Sequence, residues 1–282
     1  MSTNQKSHAH GIHIGSDAAP AAGGVKTEIV VLKFGGSVLR NQQDVRRAAA
    51  EVARHVARGT RVVAVVSALE GVTDSLLGQA RAFGEYHDPH ATALLLSTGE
   101  LASAALLGLA LTSAGITSQV LTPRQVGLRT TGQPLDSSAT GLDAGLVRAS
   151  LRTHACVVVP GFVGVDEHGA TTLLGRGGSD LTAIFIAQQL GCRCRLVKDV
   201  AGLYERDPNQ PGPEPARYLE VSWAHALSLG GGIVQPKAIA FARDHALTFE
   251  VGTHGREDAT VVGDALDGNL LERRETPAVV EV

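Results

Sequence analysis

The sequence predicts an α/β fold with a mainly parallel sheet covered by helices on both faces. Three observations predict it. Short apolar runs of strand length alternate with helix-period segments from Glu28 to Gly263. Glycine-rich turns follow some of these runs directly, as at Gly35-Gly36-Ser37 and Gly175-Arg176-Gly177-Gly178-Ser179-Asp180. The composition is 44% hydrophobic and only 4% aromatic, with 33 glycines, which suits tightly packed layers and glycine-rich ligand loops. Strand–helix alternation of this kind buries a parallel sheet between helices.

A chain of 282 residues makes one large α/β domain or two lobes sharing a sheet. A net charge of -3 with 19% charged residues favours no nucleic-acid partner and no acidic tail. Cys156, Cys192 and Cys194 cannot form a disulfide framework. Cys156 sits in an apolar strand, and Cys192 and Cys194 lack the second ligand pair of a metal site. No apolar run approaches the ~20 residues of a membrane span, and residues 1–24 lack the apolar stretch of a signal peptide. A soluble, cytoplasmic protein without membrane contact is expected. Residues 1–24, with His8, His10 and His13, read as a disordered tail, and residues 266–282 as a C-terminal tail.

Each element has its own signal. Glu28 to Phe34 is an apolar strand, with Lys33 as its penultimate residue. A lysine at a strand end beside a glycine turn suits a phosphate. The lysine precedes the glycines, so this is not a Walker A loop. Asn41 caps an amphipathic helix to Gly59, with Val45, Ala48, Val52 and Val56 on one face. Arg61 to Ala68 is a second buried strand. Ser67 near its end and Thr73 in the next loop place hydroxyls at the ligand-binding edge of the sheet. Ala91 to Ala114 is apolar almost all round, the pattern of a helix buried within the fold. Glu100 interrupts it, and a carboxylate there must be paired or face a polar cavity.

Ile116 to Leu121 is a further strand, and Arg124 to Ser138 is polar and turn-rich, a mobile loop over the site. Ala155 to Val165 reads as one buried strand and Thr171 to Leu174 as a short one. The central Gly175–Asp180 turn then opens a helix over Leu181 to Leu190. Such a turn aims backbone N–H groups at an anion, and Arg176 and Asp180 offer a zwitterion one partner for each charge. Arg195 to Val200 is a strand, Asn209 to Pro215 an irregular loop, and helices follow at about 222–230 and 237–245. Leu247 to Gly252 and Ala259 to Gly263 close the series.

Together these pieces resemble the aspartate kinase branch of the amino acid kinase family. The matching motifs are Lys33-Phe34-Gly35-Gly36-Ser37, Val66-Ser67-Ala68 with Thr73, Gly99-Glu100 and Gly161-Phe162-Val163-Gly164. Gly175 to Asp180 with Thr182-Ala183, Asp199 to Tyr204, and Asp207-Pro208 complete the set. The resemblance implies an αβα sandwich of the carbamate kinase-like type. An acceptor-binding lobe would cover about 25–190 and a nucleotide-binding lobe about 191–265. It also implies ATP- and Mg²⁺-dependent phosphorylation of L-aspartate to 4-phospho-L-aspartate, by a cytoplasmic homodimer. Lys33, Gly36 and Asp180 would serve the chemistry. Ser67, Thr73, Glu100, Arg176, Gly177, Gly178 and Ser179 would hold the amino acid. Lys33, Gly35, Gly36, Ser37, Lys198, Asp199, Tyr204, Arg206, Asp207 and Lys237 would line the nucleotide site.

The chain departs from the family pattern at four points. Lys198 stands where relatives have Thr, Ala201 replaces an acidic or prolyl residue, and Gly232 occupies a phosphate-contacting Lys position. The chain also ends near the close of the kinase domain, so regulatory ACT repeats are not expected. Two alternatives accompany this reading. One is a kinase of another small acceptor, such as a different amino acid, carbamate, a phosphonate or UMP; the other is a non-catalytic nucleotide-binding relative.

Overall fold

Alternation along the first strand sets the two faces of the protein. The computed structural model describes residues 27–84, 88–213, 215–264 and 270–272. In β1 (Ile29–Phe34), Val31 joins the core on one face of the sheet, while Val30, Leu32 and Phe34 join the core on the other. The two-residue period of a strand puts Lys33 on the Val31 side. Each fully buried Val or Leu of this kind contributes about 1.5–3 kcal/mol.

β1 pairs in parallel with β2 (Arg61–Val66) on one side and with β9 (Arg193–Lys198) on the other. Beyond β2 lie β6 (Cys156–Pro160) and the edge strand β3 (Ser118–Val120). Beyond β9 lie β11 (Phe249–Thr253), β12 (Ala259–Gly263), β10 (Arg217–Ser222) and β13 (Leu270–Glu272). The pairing is parallel except at β11–β12 and β10–β13. A smaller sheet runs β5 (Asp136–Gly141), β4 (Arg129–Gln133), β7 (Val163–Val165) and β8 (Thr171–Leu173).

Helices α1 (Gln42–Ala57) and α3 (Pro89–Ser113) cover the Leu32 face. Helices α4 (Ala144–Thr153), α5 (Gly178–Leu190), α6 (Trp223–Ser228) and α7 (Pro236–Asp244) contribute to the Val31 core. The result is the expected three-layer αβα arrangement. Because β2 and β9 flank β1 on opposite sides, the strand order reverses at β1. A crevice at such a point, outside the carboxyl ends of the strands, is where open α/β sheets bind ligands.

Several elements differ from the expectation. The Arg124–Ser138 segment is no mobile loop: most of it builds the β4–β5 hairpin, with Ser137 Oγ donating to Leu173 O at 2.9 Å. The single strand expected over 155–165 is two, in different sheets. Pro160 and Gly161 lead into Phe162 at φ 68°, a left-handed turn that redirects the chain. α3 is long and apolar enough to cross a bilayer by length and composition, contrary to the sequence reading. It packs against α1, β6 and β8 but is not buried all round, since Leu94 and Leu109 are exposed. α4 and β10 were not expected, and residues 270–272 of the expected tail form β13. The N-terminal tail expectation, with its three histidines, falls outside the described residues.

Candidate active site

Two strand ends and one helix start build the floor of the site. Lys33 leaves β1 and its Nζ lies 2.6 Å from Asp180 Oδ1 in the first turn of α5, both side chains being buried. A Cβ on Gly35 would sit 2.7 Å from that Nζ, so a glycine is what lets the ammonium fold back over the turn. β1 and β9 are in register with Lys33 opposite Leu196, so Lys198, two residues on, emerges on the same face. Its Nζ donates to Asp180 Oδ1 at 3.2 Å and Oδ2 at 3.0 Å. Two buried ammoniums thus share one carboxylate, leaving one net positive charge at the bottom of the site.

The surroundings shift these groups. Burial, helped by the like charge of Lys198 and opposed by the attraction of Asp180, lowers the Lys33 pKa from 10.5 to about 8. For Asp180 burial acts upward, but Lys33 and Lys198 outweigh it and bring the pKa to about 2. Above this floor α5 opens on Gly177 at φ 79°, with no side-chain cap. Its first-turn N–H groups carry the positive end of the helix dipole. A Cβ on Gly177 would strike Gln235 at 2.3 Å, so the close approach of the Gly231–Gln235 segment needs glycine here.

Glu100 lies in the middle of α3, which begins at Pro89 behind Asp88, whose carboxylate accepts from His90 N. Burial pushes its carboxyl up from 4.5 to about 7, against a backbone hydrogen bond from Ala68. Its Oε2 has no hydrogen-bond partner among the described residues. Such a carboxyl is a strong site for a cation. Ser67 follows β2, and Thr73 stands in the first turn of α2 (Val72–Arg81), which opens on Gly71 at φ 76°. Arg176 is exposed at the tip of the central turn.

All of these line one cleft of about 1000 Å³, together with Gly36, Ser37, Gly178 and Ser179. Its other wall carries Asp199, Tyr204, Arg206 and Asp207. That wall is held locally: Asp207 Oδ1 accepts from Asn209 N at 2.9 Å, and Arg206 donates to Pro213 O. Gly232 lines the cleft with open space where a Cβ would stand. Of the sequence-derived site residues only Lys237 lies outside the lining. Its Nζ donates to Asp136 Oδ1 at 2.6 Å, Leu174 O at 2.7 Å and Ser137 O at 3.2 Å, tying α7 to the hairpin and the central turn.

Sequence reasoning gave no site role to Phe162, Leu135 or Gln235, which also line the cleft. Phe162 was legible, since Gly161-Phe162 follows a strand whose carboxyl end faces the site. Leu135 and Gln235 carry no local signal; their place depends on the hairpin and on the path of Gly231–Gln235.

Comparison with known proteins agrees with this geometry. The amino acid kinase family model matches residues 28–251. An aspartokinase of Geobacillus stearothermophilus is 36% identical over 228 residues, 79% of this chain and 56% of that protein. The chain therefore spans little more than half the length of that curated relative. The crystal structure of an aspartate kinase from Synechocystis superposes with a TM-score of 0.72 at 31% identity, over 87% of this chain and 42% of that one. E. coli aspartokinase III, solved with aspartate and ADP, shares the fold with a TM-score of 0.73 at 24% identity, over 88% of this chain and 65% of that one. A family match over most of the sequence, on a fold and a cleft of this kind, places the chain in the amino acid kinase family.

Proposed function

We propose that this chain transfers the γ-phosphoryl group of ATP to the side-chain carboxylate of L-aspartate, giving 4-phospho-L-aspartate and ADP. A carboxylate oxygen forms the new P–O bond while the bond to the β-phosphate oxygen breaks. The acceptor has a pKa near ~4 and is already ionised, so no general base is needed. What the site must do is bring two anions together and stabilise charge spread over the transferring group.

One observation carries this reading: a single cleft holds both a net-positive buried floor and separate partners for a zwitterion. Lys33 and the Gly35-Gly36-Ser37 turn take the phosphoryl group, and Asp180 keeps Lys33 in place. Arg176 grips the α-carboxylate in bidentate fashion, with Gly177, Gly178 and Ser179 offering backbone N–H groups. Glu100 pairs the α-ammonium, and Ser67 and Thr73 hydrogen-bond the acceptor. Lys198, Asp199, Tyr204, Arg206 and Asp207 lie on the nucleotide side. Among the described residues no cluster of three or more His, Cys, Asp or Glu side chains stands ready for a metal. Mg²⁺ would be carried mainly by the ATP phosphates, with Asp199 and Asp207 among the carboxylates that line the cleft. Mg²⁺ would supply neutralisation of the phosphate charge.

A cytoplasmic location and a homodimer complete the proposal. The test is ATP turnover with Mg²⁺ and a panel of acceptors, trapping acyl phosphate with hydroxylamine. A hydroxamate from aspartate is expected. Turnover on carbamate, a phosphonate or UMP instead, or on no acceptor at all, would overturn the proposal.

A further inference from the structure

Asp180 faces a difficulty if Lys33 is its sole partner. A phosphoryl group arriving beside Lys33 competes for the same ammonium. Were Lys33 to turn toward it, a buried carboxylate would be left uncompensated, which is strongly unfavourable. The structure contains a second ammonium for that carboxylate. Lys198 bonds both Asp180 oxygens, at 3.2 and 3.0 Å, from the same sheet face as Lys33 and with little exposure to solvent. The side chain is not needed to fill a hydrophobic layer, since it lines the cleft.

We propose that Lys198 is a positioning residue that stands as the permanent counter-ion of Asp180, so that Lys33 is released to the transferring phosphoryl group. The inference rests on the phosphotransfer reading but not on the identity of the acceptor. Lys198 acts through Asp180. It keeps the carboxylate neutralised while the Lys33 ammonium shifts by one hydrogen bond, and no proton moves. The charged and titratable groups facing Lys33 are Asp180 from α5 and Lys198 and Cys194 from β9.

The test uses Lys198→Met in the full chain. Turnover should fall about tenfold or more while the KM for aspartate stays within about threefold, the signature of a loss felt beyond ground-state binding. The alkaline limb of kcat/KM, set by Lys33, should move to higher pH, because its like-charged neighbour is gone and Asp180 is left to it alone. In an Asp180→Asn background the same substitution should cost less than about twofold, as coupled residues require. Lys198→Arg, which keeps the charge, should retain turnover within about threefold of wild type. Calorimetric binding of MgATP and MgADP reads the same device without an acceptor: the preference for ATP should shrink in Lys198→Met.

Unchanged turnover, a loss with the alkaline limb unmoved, or an equal loss in the Asp180→Asn background would overturn the inference. So would an Arg variant as impaired as the Met variant. The double variant Asp180→Asn/Lys198→Met keeps the wild type's net charge of one at the floor, so its comparison with Asp180→Asn stays readable even if Lys198→Met alone fails to fold. Absence of aspartate turnover in the wild type would sink the acceptor assignment only, because the nucleotide preference is measured without it.

Discussion

The floor of the cleft and its rim are built in opposite ways. On the floor, Lys33, Asp180 and Lys198 are 4%, 3% and 7% exposed and locked by ion pairs. At the rim, Arg176, Arg206 and Asp207 are exposed, and the Arg206–Asp207 segment is held by bonds within its own loop. The floor is therefore organised before any ligand arrives, in surroundings where charges interact strongly. The rim sits in water, where a charge acts weakly until a ligand covers it. On the proposed function, chemistry would belong to the first region and recognition to the second.

The sharpest test of that division is Lys33→Ala. Turnover should fall about 10²- to 10³-fold, the range for removing a main stabiliser of developing charge, with the KM for aspartate much less affected. In the wild type kcat/KM should decline above about pH 8, where Lys33 loses its proton; the variant should lack this limb. Wild-type kinetics in Lys33→Ala would erase the distinction. At the rim, Arg176→Ala should raise the KM for aspartate about tenfold, the equivalent of roughly 1.4 kcal/mol, and change kcat far less. A rim residue that altered kcat alone would reverse the assignment.

The smallest effect lies between the two regions, at Glu100. Its native pKa of about 7 lies above the ordinary 4.5, so as pH rises the unfolded chain gives up this proton first. The native state then binds more protons, and stability falls between about 4.5 and 7. Above that window the whole cost of a buried, poorly paired carboxylate is present. Glu100→Gln in the ligand-free protein should match the wild-type Tm near the lower limit and exceed it increasingly toward the upper one. A Tm difference that does not vary with pH would show that Glu100 is already paired.

Legibility in the sequence followed local information. β1, β2 and α1 announce themselves through apolar runs and the Asn41 cap, whose side chain accepts from Gln43 N and Asp44 N. The Gly175–Asp180 turn is equally plain, because three glycines around a charged pair have few structural uses. The β4–β5 hairpin was hidden by its polar strands, Thr130, Thr131 and Ser137 among them, which give no apolar alternation. Its stability comes instead from distant pairs such as Thr130 Oγ1 with Thr172 Oγ1 at 2.6 Å. Lys237 shows the limit at the site itself. The resemblance assigns this lysine to the nucleotide site; in the structure its acceptors are two carbonyls and Asp136, the nearest of them 63 residues away in the chain, which no local pattern announces. Lys198 also carried a double meaning: the resemblance placed it at the nucleotide site, but only the folded β1–β9 pair reveals that it shares a carboxylate with Lys33.

That register also makes the protein intolerant of a particular kind of change. Side chains of Arg193–Lys198 alternate between the two faces, so deleting one residue there would swing the second ammonium to the far side of the sheet, into the apolar layer beneath α1 and α3. Substitutions along this strand can be absorbed by repacking, whereas an insertion or deletion cannot. Length variation among proteins built like this one should accordingly gather in the connections and spare the two central strands.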